Sequence, residues 1–433
     1  MGGLARRVSY LKAFKHRSNM EVPTLFVDAG NIFSDERFTA GQIPTDVMSK
    51  NKWVVKAYGD FHHDAANVNS ADLPYLGELF KKEDFDKRVE EFPFINKLVS
   101  ANVRPIDDAH LAPVPYVIRE ITLKRGVPGH KIRIGIVGFT ESMPIGPNPD
   151  NRETVRGAYR IDDPFEAAKR VLPELKSKTD FIIALAYMPI DMSQRLATEN
   201  PEIDTIIGAR QINNTEDVQS VNRATIAYAY NQTKHLGELR VYVKADGSIE
   251  NQVNRFVALD SDIPDDPAAV EVVTTAHNDF TNEQNKRSQE TSSLIQSTSL
   301  LGAAESPFAG VETCAVCHQS EFEIWERTGH AHAMATLERK KQQFDTECVR
   351  CHVVGFGKGG FQSLTSTPQL ANVQCESCHG PGRAHSESPA KGYGLMVTPI
   401  GCVACHTPVN SPDFNFVTYW PKVRHGAGEA APE

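Results

Sequence analysis

Cys314-Ala-Val-Cys317-His318, Cys348-Val-Arg-Cys351-His352, Cys375-Glu-Ser-Cys378-His379 and Cys402-Val-Ala-Cys405-His406 repeat one pattern, and together they use all eight cysteines of the 433-residue chain. In Cys-x-x-Cys-His the two thiols reach the two vinyl-derived positions of one porphyrin, and the adjacent imidazole is delivered to the iron as proximal ligand. The four units therefore predict four covalently bound c-type haems. His318, His352, His379 and His406 are the expected proximal ligands, and every cysteine is expected in a thioether bond. A pair of zinc sites shares the Cys-x-x-Cys grammar but does not require a histidine after every pair. A thioredoxin-like thiol pair needs a strand-then-helix context that surrounds none of the four units. No cysteine is left over for a disulfide.

A low-potential haem usually carries a second imidazole on its other face. The same segment holds four more histidines, and His330, His385 and His425 are read as distal ligands. His332 is a further candidate, with a surface or propionate contact as its other reading. Trp325 to Leu337 reads as helix, in which Ala331, Ala333 and Ala335 would let a flat macrocycle approach the backbone. Two residues apart on a helix, His330 and His332 point in different directions and do not easily serve one haem. A solvated or packed histidine is the plain alternative for each.

From these residues outward, the segment resembles the tetrahaem cytochrome c-554 family. The matching pieces are the four units together with Trp325, Thr328, His330-Ala331, Leu337, Gly355-Phe356, Gly380-Pro381-Gly382, His385 and Tyr419-Trp420-Pro421-Lys422-Val423-Arg424-His425. The resemblance implies three bis-histidinyl haems and one five-coordinate iron. By that resemblance the haem of His352 carries the open position, though His332 could fill it. Close haem packing for fast electron hopping is likewise implied by the resemblance.

The remaining chain is long enough for a second domain, with 40% hydrophobic residues overall. Residues 1–260 alternate strand-like and helical stretches, the pattern of an α/β layer fold. Strands are predicted at 24–29, 53–58, 115–123, 131–139, 180–187, 205–208, 224–230 and 236–244, with helices such as 164–178 between them. No repeat of a solenoid is visible. Net charge is -9, which argues against a nucleic-acid partner, because phosphate neutralisation needs a basic face. No run approaches the roughly 18 apolar residues of a membrane span.

Several of these runs resemble the metallophosphoesterase domain of the 5'-nucleotidase family. They are Gly2-Gly3-Leu4-Ala5-Arg6-Arg7, Phe26-Val27-Asp28-Ala29-Gly30, Asp64-Ala65-Ala66-Asn67-Val68, Lys131 to Thr140, Ile203 to Gly208 and Leu236-Gly237-Glu238-Leu239. The resemblance implies an α/β layered sandwich, and a family that hydrolyses phosphate esters between two metal ions. The ligand positions that it implies read differently here. Asn31 stands for the bridging aspartate after Asp28, Asn69-Ser70-Ala71-Asp72 for Gly-Asn-His-Glu/Asp, Tyr187 for a histidine, and Gly208-Ala209-Arg210-Gln211 for Gly-His-x-His. The first ligand motif, on a strand preceding Gly2, is missing from the chain. The expectation is a phosphoesterase fold whose catalytic ligands are lost. His62 and His63 are read as solvent-facing residues and only weakly as a metal pair.

Residues 261–306 read as a polar linker with one helix from Asp266 to about Lys286, and its tail, 289–310, as the most mobile stretch. Residues 307–433 form the predicted mainly helical multihaem domain with little sheet. Haem c is attached outside the cytoplasm, so a periplasmic or extracellular location is expected. No signal peptide is visible, and an upstream strand and signal in the precursor are expected. Electron transfer is the leading function, with redox proteins as partners and the first domain as a docking or scaffold module. An oxidoreductase acting on a small nitrogen compound at an open haem is the alternative, and a redox-linked phosphoesterase a third.

Overall fold

The structure, a computed structural model, describes residues 3–18, 23–34, 38, 41–60, 62–122, 131–144, 152–153, 155–210, 218–228, 235–244, 248–298, 306–340, 342–343, 346–394, 397–407 and 410–425. It forms two compact units, Met1–Ala276 and His277–Glu433.

Two sheets lie at the centre of the first unit, beside a smaller three-stranded sheet of Val103–Pro105, Tyr159–Ile161 and Val155–Arg156. Strands β1 (Val27–Asp28), β2 (Ala65–Asn67) and β3 (Leu98–Val99) pair in parallel. The larger sheet contains β4 (Tyr116–Thr122), β5 (Lys131–Thr140), β6 (Phe181–Tyr187), β7 (Thr205–Ala209), β8 (Gln219–Val221) and β9 (Ala224–Tyr228), in the order β8-β9-β7-β6-β5-β4. Its four central strands run parallel, with Ile183 facing Ile136 on one side and Thr205 on the other. The outer strands β4 and β8 are antiparallel. Central strands such as Phe181–Tyr187 are apolar throughout, as expected of parallel strands covered on both faces. Ala65 and Val99 of the small sheet meet Ile136 and Leu185 of the large one in a closed apolar layer. A further hairpin joins β10 (His235–Val243) to β11 (Ile249–Ala258).

Helices complete the layers. Helix α1 is Leu4–Ser18, α2 is Thr45–Asp60, α3 is Pro164–Lys178, α4 is Ile190–Glu199 and α5 is Pro267–Thr298. Leu172 and Leu175 of α3 pack on the large sheet with Val137, Phe139 and Ile182. Val55 and Tyr58 of α2 pack with Ala66, Leu98 and Phe94 around the small one. The start of α3 is set locally: Asp163 Oδ1 accepts from Phe165 N at 2.8 Å and Glu166 N at 3.0 Å, and Pro164 opens the first turn.

The strand predicted at 53–58 is helix α2. Its buried Val47, Asn51, Val55 and Tyr58 recur at three- and four-residue spacing, a period that the apolar run alone hides. Strand β11 has no predicted counterpart, because its exposed, polar residues lack a clean alternation. Helix α5 runs to Thr298, past Lys286, because neither Gly nor Pro occurs between Ala268 and Leu301 to stop it. Part of the tail predicted to be mobile is therefore helix, while 299–305 lie outside the described residues.

Beyond the end of α5, the second unit is built from short helices and turns around a small core that includes Phe308, Met334, Leu337, Val354, Phe361 and Leu370. Its described residues contain no strand, and an isolated bridge joins Val353 to Ala371. Trp325 to Leu337 is not one helix. It divides into Gln319–Glu326, a 3-10 turn at Gly329–His332 and Ala333–Arg339, because Thr328 takes an extended backbone before Gly329.

Close contact of the two sheets in the first unit requires Gly138. A Cβ there would fall 2.5 Å from both Asn67 Oδ1 and the Val99 carbonyl oxygen. Gly138→Ala is expected to cost about 1–3 kcal/mol through overpacking. Thermal unfolding checks this, and an unchanged midpoint would mean that the sheets are not held at this distance.

Candidate functional site

Each Cys-x-x-Cys-His unit begins on a short helical turn, at Val311–Ala315, Thr346–Val349, Cys375–His379 and Pro399–Val403. In three units the second cysteine's N–H donates to the carbonyl of the first at 3.2 Å (Cys317 to Cys314, Cys351 to Cys348, Cys405 to Cys402). The two sulfurs of a pair are thus held one turn apart, the span over which one porphyrin is attached.

The histidine rings fall into pairs drawn from distant parts of the unit. Ring centres lie 6.4 Å apart for His318 and His385, 6.1 Å for His330 and His406, and 5.9 Å for His379 and His425. A metal–imidazole bond of about 2 Å on each side, with about 1 Å from nitrogen to ring centre, puts trans imidazoles roughly 6 Å apart. Each pair combines one predicted proximal histidine with one predicted distal histidine, at a spacing that fits one iron. Burial holds His330 below the usual imidazole range, with His406 adding to the effect, and burial does the same to His406. The shift is toward the neutral form that metal ligation needs.

His352 differs. Its Nδ1 lies 2.7 Å from the carbonyl oxygen of Ala333, the second contact that commonly orients a ligating imidazole and leaves Nε2 for the metal. Among the described residues no histidine ring is paired with it at the spacing of the other three. His332, the sequence candidate for that face, is exposed.

The sequence pattern does not disclose how the units neighbour one another. The side chains of Cys314 and Cys375 lie close enough to interact, as do those of Cys351 and Cys405 and those of Cys378 and Cys402. The units therefore neighbour one another in the order first, third, fourth, second. His385 stacks on Tyr393 with ring centres 4.3 Å apart, and His406 on Phe414 at 4.5 Å.

Near the strand ends of the first unit, polar side chains are bonded to one another and to the backbone. Asp28 accepts from Tyr58 OH at 2.8 Å and Gly30 N at 3.0 Å. Glu141 Oε2 accepts from Arg210 at 2.5 Å. Asn69 donates to Asn31 at 3.2 Å and hydrogen-bonds the Tyr187 side chain. Asn67 Nδ2 donates to Phe139 O at 2.9 Å. Gln211 lies outside the described residues. His63 is not solvent-facing: it is buried against Phe26 and Tyr58, with ring centres 4.0 and 4.1 Å away, whereas His62 is exposed.

Asp72 ties this region together. Its carboxylate accepts from the backbone N–H groups of Asn31 (3.2 Å), Ile32 (2.8 Å), Phe33 (2.6 Å) and Asn69 (2.8 Å). Burial pushes its carboxyl up to about 7, while the four N–H donors pull the other way.

Residues 313–380 match the family described as cytochrome c554 and c-prime. Cytochrome c-554 of Nitrosomonas europaea is 41% identical over 97 residues, covering 19% of this chain and 41% of that protein. The protein 5NUC of Lutzomyia longipalpis is 24% identical over 294 residues, covering 61% of this chain and 45% of that protein. The chain thus spans less than half the length of these two curated relatives. Among solved structures, the 5'-nucleotidase precursor of Thermus thermophilus aligns with a TM-score of 0.47 at 19% identity, covering 64% of this chain and 53% of that one. The carboxyl-terminal region resembles cytochrome c-554.

Asp72→Ala leaves four backbone N–H groups without their acceptor. Each is expected to cost about 1–3 kcal/mol where water cannot replace it. Far-ultraviolet circular dichroism during heating should show a lowered midpoint, and wild-type stability in the variant would remove Asp72 as the anchor of these loops.

Proposed function

We propose that this protein is an exported electron-transfer protein in which residues 307–433 carry four c-type haems and residues 1–260 form a non-catalytic docking or scaffold domain. The observation that carries this reading is the pairing of His318 with His385, His330 with His406 and His379 with His425 at ring separations of 5.9–6.4 Å. Bound haem supplies one-electron redox chemistry at an iron whose ligands need not change. The eight cysteines anchor the four groups. The paired imidazoles would hold three of the irons, and His352, oriented by the Ala333 carbonyl, would hold the fourth. The closeness of the cysteines of neighbouring units favours a continuous relay to redox partner proteins. Attachment of haem c places the mature protein in the periplasm or outside the cell.

A second reading, oxidation or reduction of a small nitrogen compound, is favoured by the setting of His352, whose iron would have one face free for such a ligand.

In the first unit, three carboxylates near the strand ends are engaged by the protein itself: Asp28 by Tyr58 and Gly30, Asp72 by four backbone N–H groups, and Glu141 by Arg210. This supports a scaffold rather than a dinuclear metal site.

Pyridine haemochrome analysis is expected to give four haems per chain, and a lower number in the mature protein would overturn the count. Electron paramagnetic resonance of the oxidised protein should show low-spin signals together with one high-spin signal. His330→Ala, His385→Ala and His425→Ala should each convert one further haem to high spin, and His332→Ala should change nothing. If the wild-type spectrum is wholly low-spin, the second reading has no site; nitric oxide added as a probe should perturb the high-spin signal alone. Manganese- or zinc-dependent hydrolysis of p-nitrophenyl phosphate above that of a haem-free Cys→Ser variant's background would overturn the non-catalytic role of the first domain.

A further inference from the structure

Glu376 lies inside the third unit, between Cys375 and Cys378, and is 5% exposed. Its carboxylate accepts three backbone hydrogen bonds, from Ala309 N at 2.9 Å and Gly382 N at 2.7 Å to Oε1, and from Gly310 N at 2.9 Å to Oε2. Three donors suit a carboxylate, which only accepts. Among the described residues, no ion pair neutralises it. Arg383, seven positions on, directs its guanidinium to the carbonyl oxygens of Ser306 and Phe308.

The position of this charge is specific. The segment that Glu376 holds, Ala309-Gly310, leads directly into the first unit at Cys314. Glu376 lies close enough to Cys314 and Cys375, whose side chains are neighbours, to act electrostatically on both. It therefore sits where the first and third units meet. Gln374, 4% exposed, provides an internal comparison: its Oε1 accepts from Val311 N at 2.8 Å, so a neutral amide is enough to hold the neighbouring part of the same segment. The negative charge of Glu376 has a consequence that clamping alone does not require.

We propose that Glu376 is a redox-tuning residue that holds a fixed negative charge between the haems of His318 and His379 and lowers their reduction potentials. This rests on the haem assignment proposed above. Oxidation of either haem sends one electron to a neighbouring haem or redox partner and leaves one additional positive charge at the iron. A buried carboxylate nearby stabilises that state, and the low-dielectric interior weakens the field less than water does.

The test is a spectroelectrochemical titration of the full, haem-loaded chain, with haem content measured in parallel. Glu376→Gln should raise the potentials of the two flanking haems by an amount equal to a fivefold to tenfold change in the oxidised-to-reduced ratio, tenfold being about 59 mV for one electron. The other two haems should move less. Glu376→Asp keeps the charge while loosening the clamp, so it should lower thermal stability and leave the ratio within about twofold of wild type. A four-haem Glu376→Gln protein with unchanged potentials would overturn the proposal. So would potentials that move with the loosened clamp in Glu376→Asp, which also decides the matter if the Gln variant does not mature. Wild-type protein lacking haem at the first or third unit would instead overturn the underlying assignment, and the haem measurement identifies that case separately.

Discussion

An iron held between two imidazoles fixes their ring centres roughly 6 Å apart, and the second unit is arranged so that three histidine pairs meet this spacing. The constraint matters because little else there has the reach to order the chain. Helices of four to eight residues, such as Thr346–Val349 and Gln319–Glu326, are too short to persist on intrinsic propensity. The apolar core around Val354 and Phe361 is small. In the proposed assembly, each pair of imidazoles closes a long loop through a metal, while each Cys-x-x-Cys turn ties its segment covalently to the same group. Groups bound in this way contribute to folding as well as to redox chemistry.

The first unit is stabilised by different means. Ala65, Val99, Ile136 and Leu185 close the space between two sheets, and Gly138 allows their backbones to approach. Polar residues at the strand ends are satisfied by one another. Asn102 shows the pattern: its Nδ2 donates to Thr140 O at 2.6 Å and Asp162 O at 2.8 Å, and its Oδ1 accepts from Thr140 N at 3.0 Å. Buried amides and carboxylates bonded so fully specify one arrangement of the loops. The Arg210 guanidinium is paired with Glu141 among these strand-end residues, a fixed positive charge that the protein supplies from its own side chain.

These two modes of construction suit the proposed division of labour. A scaffold needs a self-sufficient core and satisfied polar groups. An electron relay needs its redox groups close together, their ligands fixed and their surroundings electrostatically defined. Glu376 joins the structural and electronic requirements in one side chain, since the N–H groups that bury its carboxylate also hold the segment leading to Cys314.

By itself, the sequence disclosed what depends on short spacing: the four Cys-x-x-Cys-His units, most of the apolar strands of the larger sheet, and helix α3. These are local patterns, because thioether attachment, strand alternation and helical periodicity each involve residues within a few positions of one another. Only tertiary structure decided which histidine faces which, that His63 is packed among aromatic rings, that Asp72 gathers three distant N–H groups, and that Glu376 lies where two units meet. It also overruled a local reading at 53–58, where burial of Val47, Asn51, Val55 and Tyr58 made a helix of an apolar run. The reason is the same in each case: a partner dozens of residues away leaves no periodic trace in the chain, and its identity is set when packing brings the two side chains within bonding distance.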